Sequence, residues 1–162
     1  MAIADALLHP YLTSPTSLLT TRRSISCTTG PFTNAAQSMF TIAGAPCYAR
    51  FVGIVTTSVG GTAMNGTLQE VVTTPAGTVV LSTTVSCASK AAGTSIRFVG
   101  ATGVLTPVTA GAVIIDPVTV DDTWNLCPIG AIQFLTTAIN TGLITWYMDY
   151  VPLSSDNVVS VT

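Results

Sequence analysis

From Ser24 to the C-terminus, apolar and polar residues alternate in short runs punctuated by Gly, Pro and Asn. That two-residue period is the signature of β-strands. Between Cys47 and Val55, the residues Cys47, Ala49, Phe51, Gly53 and Val55 fall on one face, and Tyr48, Arg50, Val52 and Ile54 on the other. Between Leu143 and Val151 the alternation is clearest. Ile144, Trp146, Met148 and Tyr150 share one face; Leu143, Thr145, Tyr147 and Asp149 share the other. Over 94–99, Ile96 and Phe98 oppose Ser95 and Arg97. Further strands are predicted over 67–73, after an Asn65-Gly66 hairpin signal, and over 78–86, after the turn residues Pro75-Ala76-Gly77. Two more flank the Asp116-Pro117 bend, over 112–115 and 117–120. Residues 131–136 form another, joined to 143–151 by Ala138 to Gly142, which reads as a short hairpin loop with Gly142 free to take positive φ. A tail over 157–161 follows Pro152.

The sum is about eight to ten short antiparallel strands at roughly ten-residue spacing, with no long helix. This predicts an all-β fold, a jelly-roll-like β-sandwich. The immunoglobulin pattern of Cys, Trp, Cys is absent, because Trp124 lies just before Cys127 and Trp146 follows every cysteine. One domain is expected over 24–162. Residues 1–23 read differently: His9-Pro10 ends any helical turn, and the segment then has neither period. Leu7, Leu8, Tyr11, Leu12, Leu18 and Leu19 form apolar anchors spaced by polar residues and Pro15, ending in Arg22-Arg23. These residues, with Tyr147, are the candidate interface, an extended N-terminal arm laid on another surface.

Composition sharpens the picture. Only 7% of residues are charged, against about 25% in typical domains, and the mean hydropathy is +0.62. Thr and Ser replace the missing charge. Such a surface is cheap to desolvate, and a net charge of -2 gives weak self-repulsion. Both favour life against other protein surfaces. A pI of 4.9 and one lysine, Lys90, leave no nucleic-acid footprint. The uncharged stretches 98–115 and 123–148 are interrupted by turn residues, so neither reads as a membrane helix, and the strands are too irregular for an outer-membrane barrel. Met1 to Asp5 lacks a basic residue and Leu7-Leu8 is too short for a signal-peptide core, so no signal peptide is expected.

Catalytic chemistry finds little footing. His9 is the single imidazole and lies in the arm, so no triad is expected. Cys27, Cys47, Cys87 and Cys127 form no CxxC pair, which argues against zinc and for buried free thiols. Asp116, Asp121 and Asp122 could meet calcium in a loop but lack the EF-hand pattern; a solvated turn is the simpler reading. Glycine pairs such as Gly60-Gly61 are turns, without a phosphate-loop context. The expectation is a non-enzyme with no cofactor and no metal. Arg50 and Arg97 are either interface contacts or solvent-facing strand residues.

The run Ala131-Ile132-Gln133-Phe134-Leu135-Thr136-Thr137-Ala138-Ile139-Asn140-Thr141-Gly142, followed by Leu143-Ile144-Thr145-Trp146-Tyr147-Met148-Asp149-Tyr150-Val151-Pro152-Leu153-Ser154, resembles the closing hairpin of tailed-bacteriophage capsid decoration, or cement, proteins. The resemblance implies a β-rich virion protein on the capsid surface, a homotrimer that clamps the major capsid protein, with no nucleic-acid or membrane partner. Two alternatives remain open. One is another phage β-structural protein: a head fibre, a tail protein or a small capsid subunit. The other is a carbohydrate- or receptor-binding β-sandwich, with Tyr147 and Trp124 as stacking platforms.

Overall fold

The computed structural model describes residues 22–99, 104–108 and 124–162, with backbone alone at 98, 99 and 104–108. Within these residues twelve strands form two sheets: β1 (Arg23–Thr29), β2 (Ala36–Ala43), β3 (Cys47–Thr57), β4 (Asn65–Thr73), β5 (Ala76–Val80), β6 (Val85–Ser86), β7 (Ser95–Val99), β8 (Val104–Val108), β9 (Asn125–Cys127), β10 (Gly130–Thr136), β11 (Leu143–Pro152) and β12 (Val158–Val161). One sheet runs β1-β11-β3-β7-β8, with β9 also on β3. The other runs β12-β2-β10-β4-β5, with β6 also on β4. Every pairing is antiparallel.

The pairing is nested. β1 pairs β11, β2 pairs β10, β3 pairs β7 and β9, and β4 pairs β5 and β6. A long antiparallel hairpin rolled onto itself gives this order, which is the jelly roll. The chain alternates between sheets from β1 to β4 and again from β9 to β12. The expected sandwich is therefore present, with more and shorter pieces than predicted.

The inward faces follow the predicted parity. Cys47, Ala49, Phe51 and Val55 on β3, and Ile144, Trp146, Met148 and Tyr150 on β11, are buried in one apolar core. Trp146 lies at its centre. Its ring meets Phe134 of the opposite sheet at 4.8 Å between centroids, and Phe134 in turn meets Phe32 edge-on at 6.1 Å. The indole Nε1 donates to Thr29 Oγ1 at 3.1 Å, so the one polar atom of the ring is satisfied. Two glycines make room. Gly53 stands directly opposite Trp146 in the ladder, where a Cβ would come within 2.8 Å of the indole. At Gly66 a Cβ would lie 2.2 Å from the Phe134 ring.

Four sequence expectations change. Asn65-Gly66 is no hairpin turn; both residues open β4, and Gly66 is demanded by the Phe134 ring rather than by a turn conformation. The turn falls at Thr74-Pro75, so the strand begins at Ala76. The strand expected over 78–86 breaks between β5 and β6. There the carbonyl of Leu68 accepts from both Leu81 and Ser82, and Ser82 Oγ accepts from the Leu68 N–H, replacing regular ladder bonds. Residues 137–142 are not a hairpin loop, since β10 and β11 lie in different sheets. That crossover is anchored by Asn140, whose side-chain amide donates to the carbonyls of Gly60 and Thr62. Gly142 does take a positive φ, of 108°. The strands expected over 112–115 and 117–120 lie outside the described residues.

Replacing Trp146 with Ala is expected to cost about 3–5 kcal/mol in urea unfolding, the usual range for a fully buried aromatic. Gly66→Ala should cost about 1–3 kcal/mol by overpacking. Combining it with Phe134→Leu should recover part of that loss, because both changes act on one contact.

Candidate functional site

The two outer faces of the sandwich are unlike. On the β2-β10-β4 face, polar side chains satisfy one another. Gln69 donates to Gln133 at 2.9 Å, Gln133 donates to Ser38 at 3.2 Å, and Thr41 bonds Thr162 at 2.9 Å. Exposed valines of that sheet lie on its edge strands, Val79 and Val80 on β5 and Val158 and Val161 on β12, whereas the β1-β11-β3 sheet carries exposed large apolar groups, two of them aromatic, on its central strands and on β9. Tyr147 on β11 is 41% exposed and sits opposite Val52 of β3; Tyr48 of β3 is exposed opposite Leu126 of β9, itself 54% exposed. Alternation dictates this: each of these residues neighbours a buried one along its strand.

Between the two apolar pairs lies a charged centre. Arg50 and Asp149 are direct ladder partners. Arg50 donates from both Nε (3.0 Å) and Nη2 (2.9 Å) to Asp149 Oδ2. Arg22 pairs with the same oxygen. Partial burial is the largest single influence on the Asp149 carboxyl and opposes its ionisation. Hydrogen bonds from Arg22, Arg50 and Ser24, with the Arg22 charge, together outweigh it and hold the pKa below the usual carboxylate value. The Arg50 guanidinium also lies over the Trp124 ring, 5.4 Å from its centroid. The Asp149 carboxylate is thus fully paired within the chain, and because two guanidiniums share it, the face offers a partner apolar area around a cluster with one positive charge in excess.

Of the residues singled out from sequence, Tyr147 and Arg22 meet on this face. Arg23 opens β1 opposite Tyr150, one residue inside the segment read as arm. Leu7, Leu8, Tyr11, Leu12, Leu18 and Leu19 lie outside the described residues, as do His9, Asp116, Asp121 and Asp122. Arg50 joins the ionic cluster. Arg97 lies on β7 beside Val52, its Nε buried without a hydrogen-bond partner. Trp124 is half-buried and covered by Arg50 rather than presented as an open platform. Tyr48, Val52, Leu126 and Asp149 were not singled out. The alternation had placed the two β3 residues outside, and large apolar outward positions were the available signal.

One ionisable group sits where none was expected. On β4 the residues Gly66, Leu68, Glu70 and Val72 face inward together, so Glu70 is fully buried, and neither carboxyl oxygen has a hydrogen-bond partner. Burial pushes its pKa up to about 7. Cys47 and Cys127 are near enough to feel its charge. Among the described residues no group of three or more His, Cys, Asp or Glu could hold a metal ion, and no helix is long and apolar enough to cross a membrane.

Fold and face together define the class: a jelly-roll β-sandwich whose β1-β11-β3 sheet carries outward aromatic and aliphatic groups around an internally paired carboxylate. No protein-family model matches the sequence, and no curated protein matches it. Among solved structures, the chain aligns with that of the infectious bursal disease virus Gx strain at 14% identity and a TM-score of 0.23, covering 86% of this chain and 39% of that one. It aligns with the VP2 subviral particle of infectious bursal disease virus at 13% identity and a TM-score of 0.24, covering 87% and 40%. The chain spans about two fifths of those proteins. TM-scores this low do not define a common fold, so the pairings assign no function.

The buried carboxyl makes stability pH-dependent. In the unfolded chain Glu70 ionises near 4.5; in the folded protein it keeps its proton to about 7. Its favourable contribution is complete below pH 4.5 and is lost as pH rises through 7. Urea unfolding should show this group costing about 3 kcal/mol across that window, and Glu70→Gln should remove that slope.

Proposed function

We propose that this chain is a structural virion protein, a capsid decoration protein that docks on the major capsid protein through the outer face of the β1-β11-β3 sheet and stabilises the shell. The observation that carries the reading is that face: Tyr147, Val52, Tyr48 and Leu126 exposed around an Asp149 carboxylate already paired with Arg22 and Arg50 inside the chain. Aromatic and arginine side chains dominate the energetics of stable interfaces, and a patch with few free charges is cheap to desolvate. The sparse charge of the whole chain extends the same logic to the rest of the surface. The jelly roll is used by capsid and lectin domains alike, so the fold supports the proposal only by analogy. The reading includes a homotrimer, in which three docking faces raise avidity, location on the capsid surface, and no catalytic role.

The test is add-back to shells built from the cognate major capsid protein, measured by co-sedimentation. Tyr147→Asp should weaken binding at least tenfold (about 1.4 kcal/mol) while leaving urea stability unchanged. Removing residues 1–21, which keeps Arg22 and Arg23 in place beside β11, should also weaken binding if the arm adds contact area. Sedimentation velocity should return three times the chain mass. Undiminished binding by Tyr147→Asp would remove the face from the proposal. Glycan binding with no shell binding would transfer the protein to the carbohydrate-binding class.

A further inference from the structure

Strand β9 is three residues long and pairs with β3 through one unusual contact. Cys47 and Cys127 are direct ladder partners. Their neighbours Tyr48 and Leu126 face outward, and alternation turns both cysteines into the core, where neither is exposed. Residues directly opposed in an antiparallel ladder have Cα atoms about 4.5 or 5.5 Å apart. Both spacings fall within the ~4.4–6.8 Å that a disulfide requires. The other two cysteines lack such a partner: Cys27 stands opposite Trp146, and Cys87 lies beside Gly66 and outside the named ladders.

We propose that Cys47 and Cys127 are a cross-strand thiol pair that closes to a disulfide under an oxidising thiol buffer and locks β9 onto β3. Both thiols are free in the reduced form described here. The oxidant is a small-molecule disulfide such as oxidised glutathione. One cysteine thiolate attacks it, forming a mixed disulfide and releasing one glutathione thiolate. The second cysteine thiolate attacks the protein-side sulfur and releases the other. Two cysteine protons end on two glutathione thiols, and the two electrons lost by the protein reduce one glutathione disulfide.

The surroundings make the pair slow to react while it is packed. Burial, with Glu70 nearby, pushes the Cys47 thiol up to about 12 and raises Cys127 as well, against a weaker opposing bond from Asn157 to Cys47. Thiolate is the attacking species, so exchange requires β9 to lift from β3 or the pair to meet before the core closes. A three-residue strand is short enough to open locally, apart from the rest of the sheet. The lock would act on the docking face, since β9 carries Leu126, and Trp124 under Arg50 immediately precedes it. The inference stands on the ladder register and is independent of the proposed virion role.

The full chain is incubated in sub-denaturing urea with oxidised and reduced glutathione, free thiols are alkylated, and non-reduced peptides are mapped by mass spectrometry. The expected product is lighter by two hydrogens, links Cys47 to Cys127, and melts roughly 10 °C higher than the reduced protein. The Cys27→Ser/Cys87→Ser double variant should form the same link, and Cys47→Ser should abolish it. A product dominated by any other linkage, or four alkylated thiols throughout with oxidised glutathione in excess, would overturn the proposal. The measurement on the unmodified chain decides the matter even if a variant fails to fold.

Discussion

The two sheets are held in register across the core by one aromatic contact, the Trp146 indole of β11 against the Phe134 ring of β10. Rings of this size need space on their own sheets, and it is supplied by residues with no side chain. Gly53 faces Trp146 across the ladder, and Gly66 lies against Phe134. Large rings set beside glycines let the faces interdigitate at close-packed density. The indole N–H donates to the Thr29 hydroxyl oxygen, and that hydrogen bond ties β1 to the tryptophan. The outer edge of the β1-β11-β3 sheet therefore inherits its position from the core. Each inward residue of β11 fixes the outward direction of its neighbours, and Tyr147 stands outside because Trp146 and Met148 stand inside.

Charge is scarce in this chain, and two of its carboxyl groups are used in opposite ways. Asp149 gathers Arg22 and Arg50 on the outer face, binding the start of β1 and the middle of β3 to β11. Three strands of one sheet thus share a polar clamp on their solvent side and an aromatic anchor on their core side. Glu70 is the opposite case. It is buried with no donor, so its neutral form is the one compatible with the core. A partnered surface carboxylate and an orphaned internal one shift in opposite directions, and they pull stability in opposite directions along the pH scale.

Legibility in the sequence followed the strength of the alternation. In β3 and β11 the period survives from end to end, and both faces could be assigned residue by residue. In β2 it does not. The register against β10 slips at Met39, so Met39 and Phe40 are both buried. A β-bulge of this kind erases the two-residue signal over a short strand, and β2 was not delimited. Glycine misled for a related reason. Gly66 followed asparagine and imitated a turn, while its cause was a ring contributed by a strand more than sixty residues away. Local spacing cannot report a contact of that range. The crossover at 137–142 was hidden for the same reason: hairpin and inter-sheet connections share a length and a composition, and only strand pairing separates them. The outward residues of the docking face were visible, but nothing local said that Tyr48 and Leu126 would be neighbours.

That neighbourhood has a physical consequence for how the face can work. Asp149 is already paired inside the chain by Arg50 and Arg22, so a partner covering the cluster meets no unpaired carboxylate but one guanidinium charge in excess, and desolvation of paired ions costs less than that of isolated ones. The apolar residues on either side supply the area, while the clamp supplies orientation. As the proposed docking surface, such a face would bind chiefly by shape and burial, with one excess positive charge adding a modest dependence on ionic strength. Long-range steering would be slight, and association would gain more from multivalency than from electrostatic attraction. A chain with so few charges has little else to recruit, and the packing that places Trp146 inside is what turns Tyr147 outward.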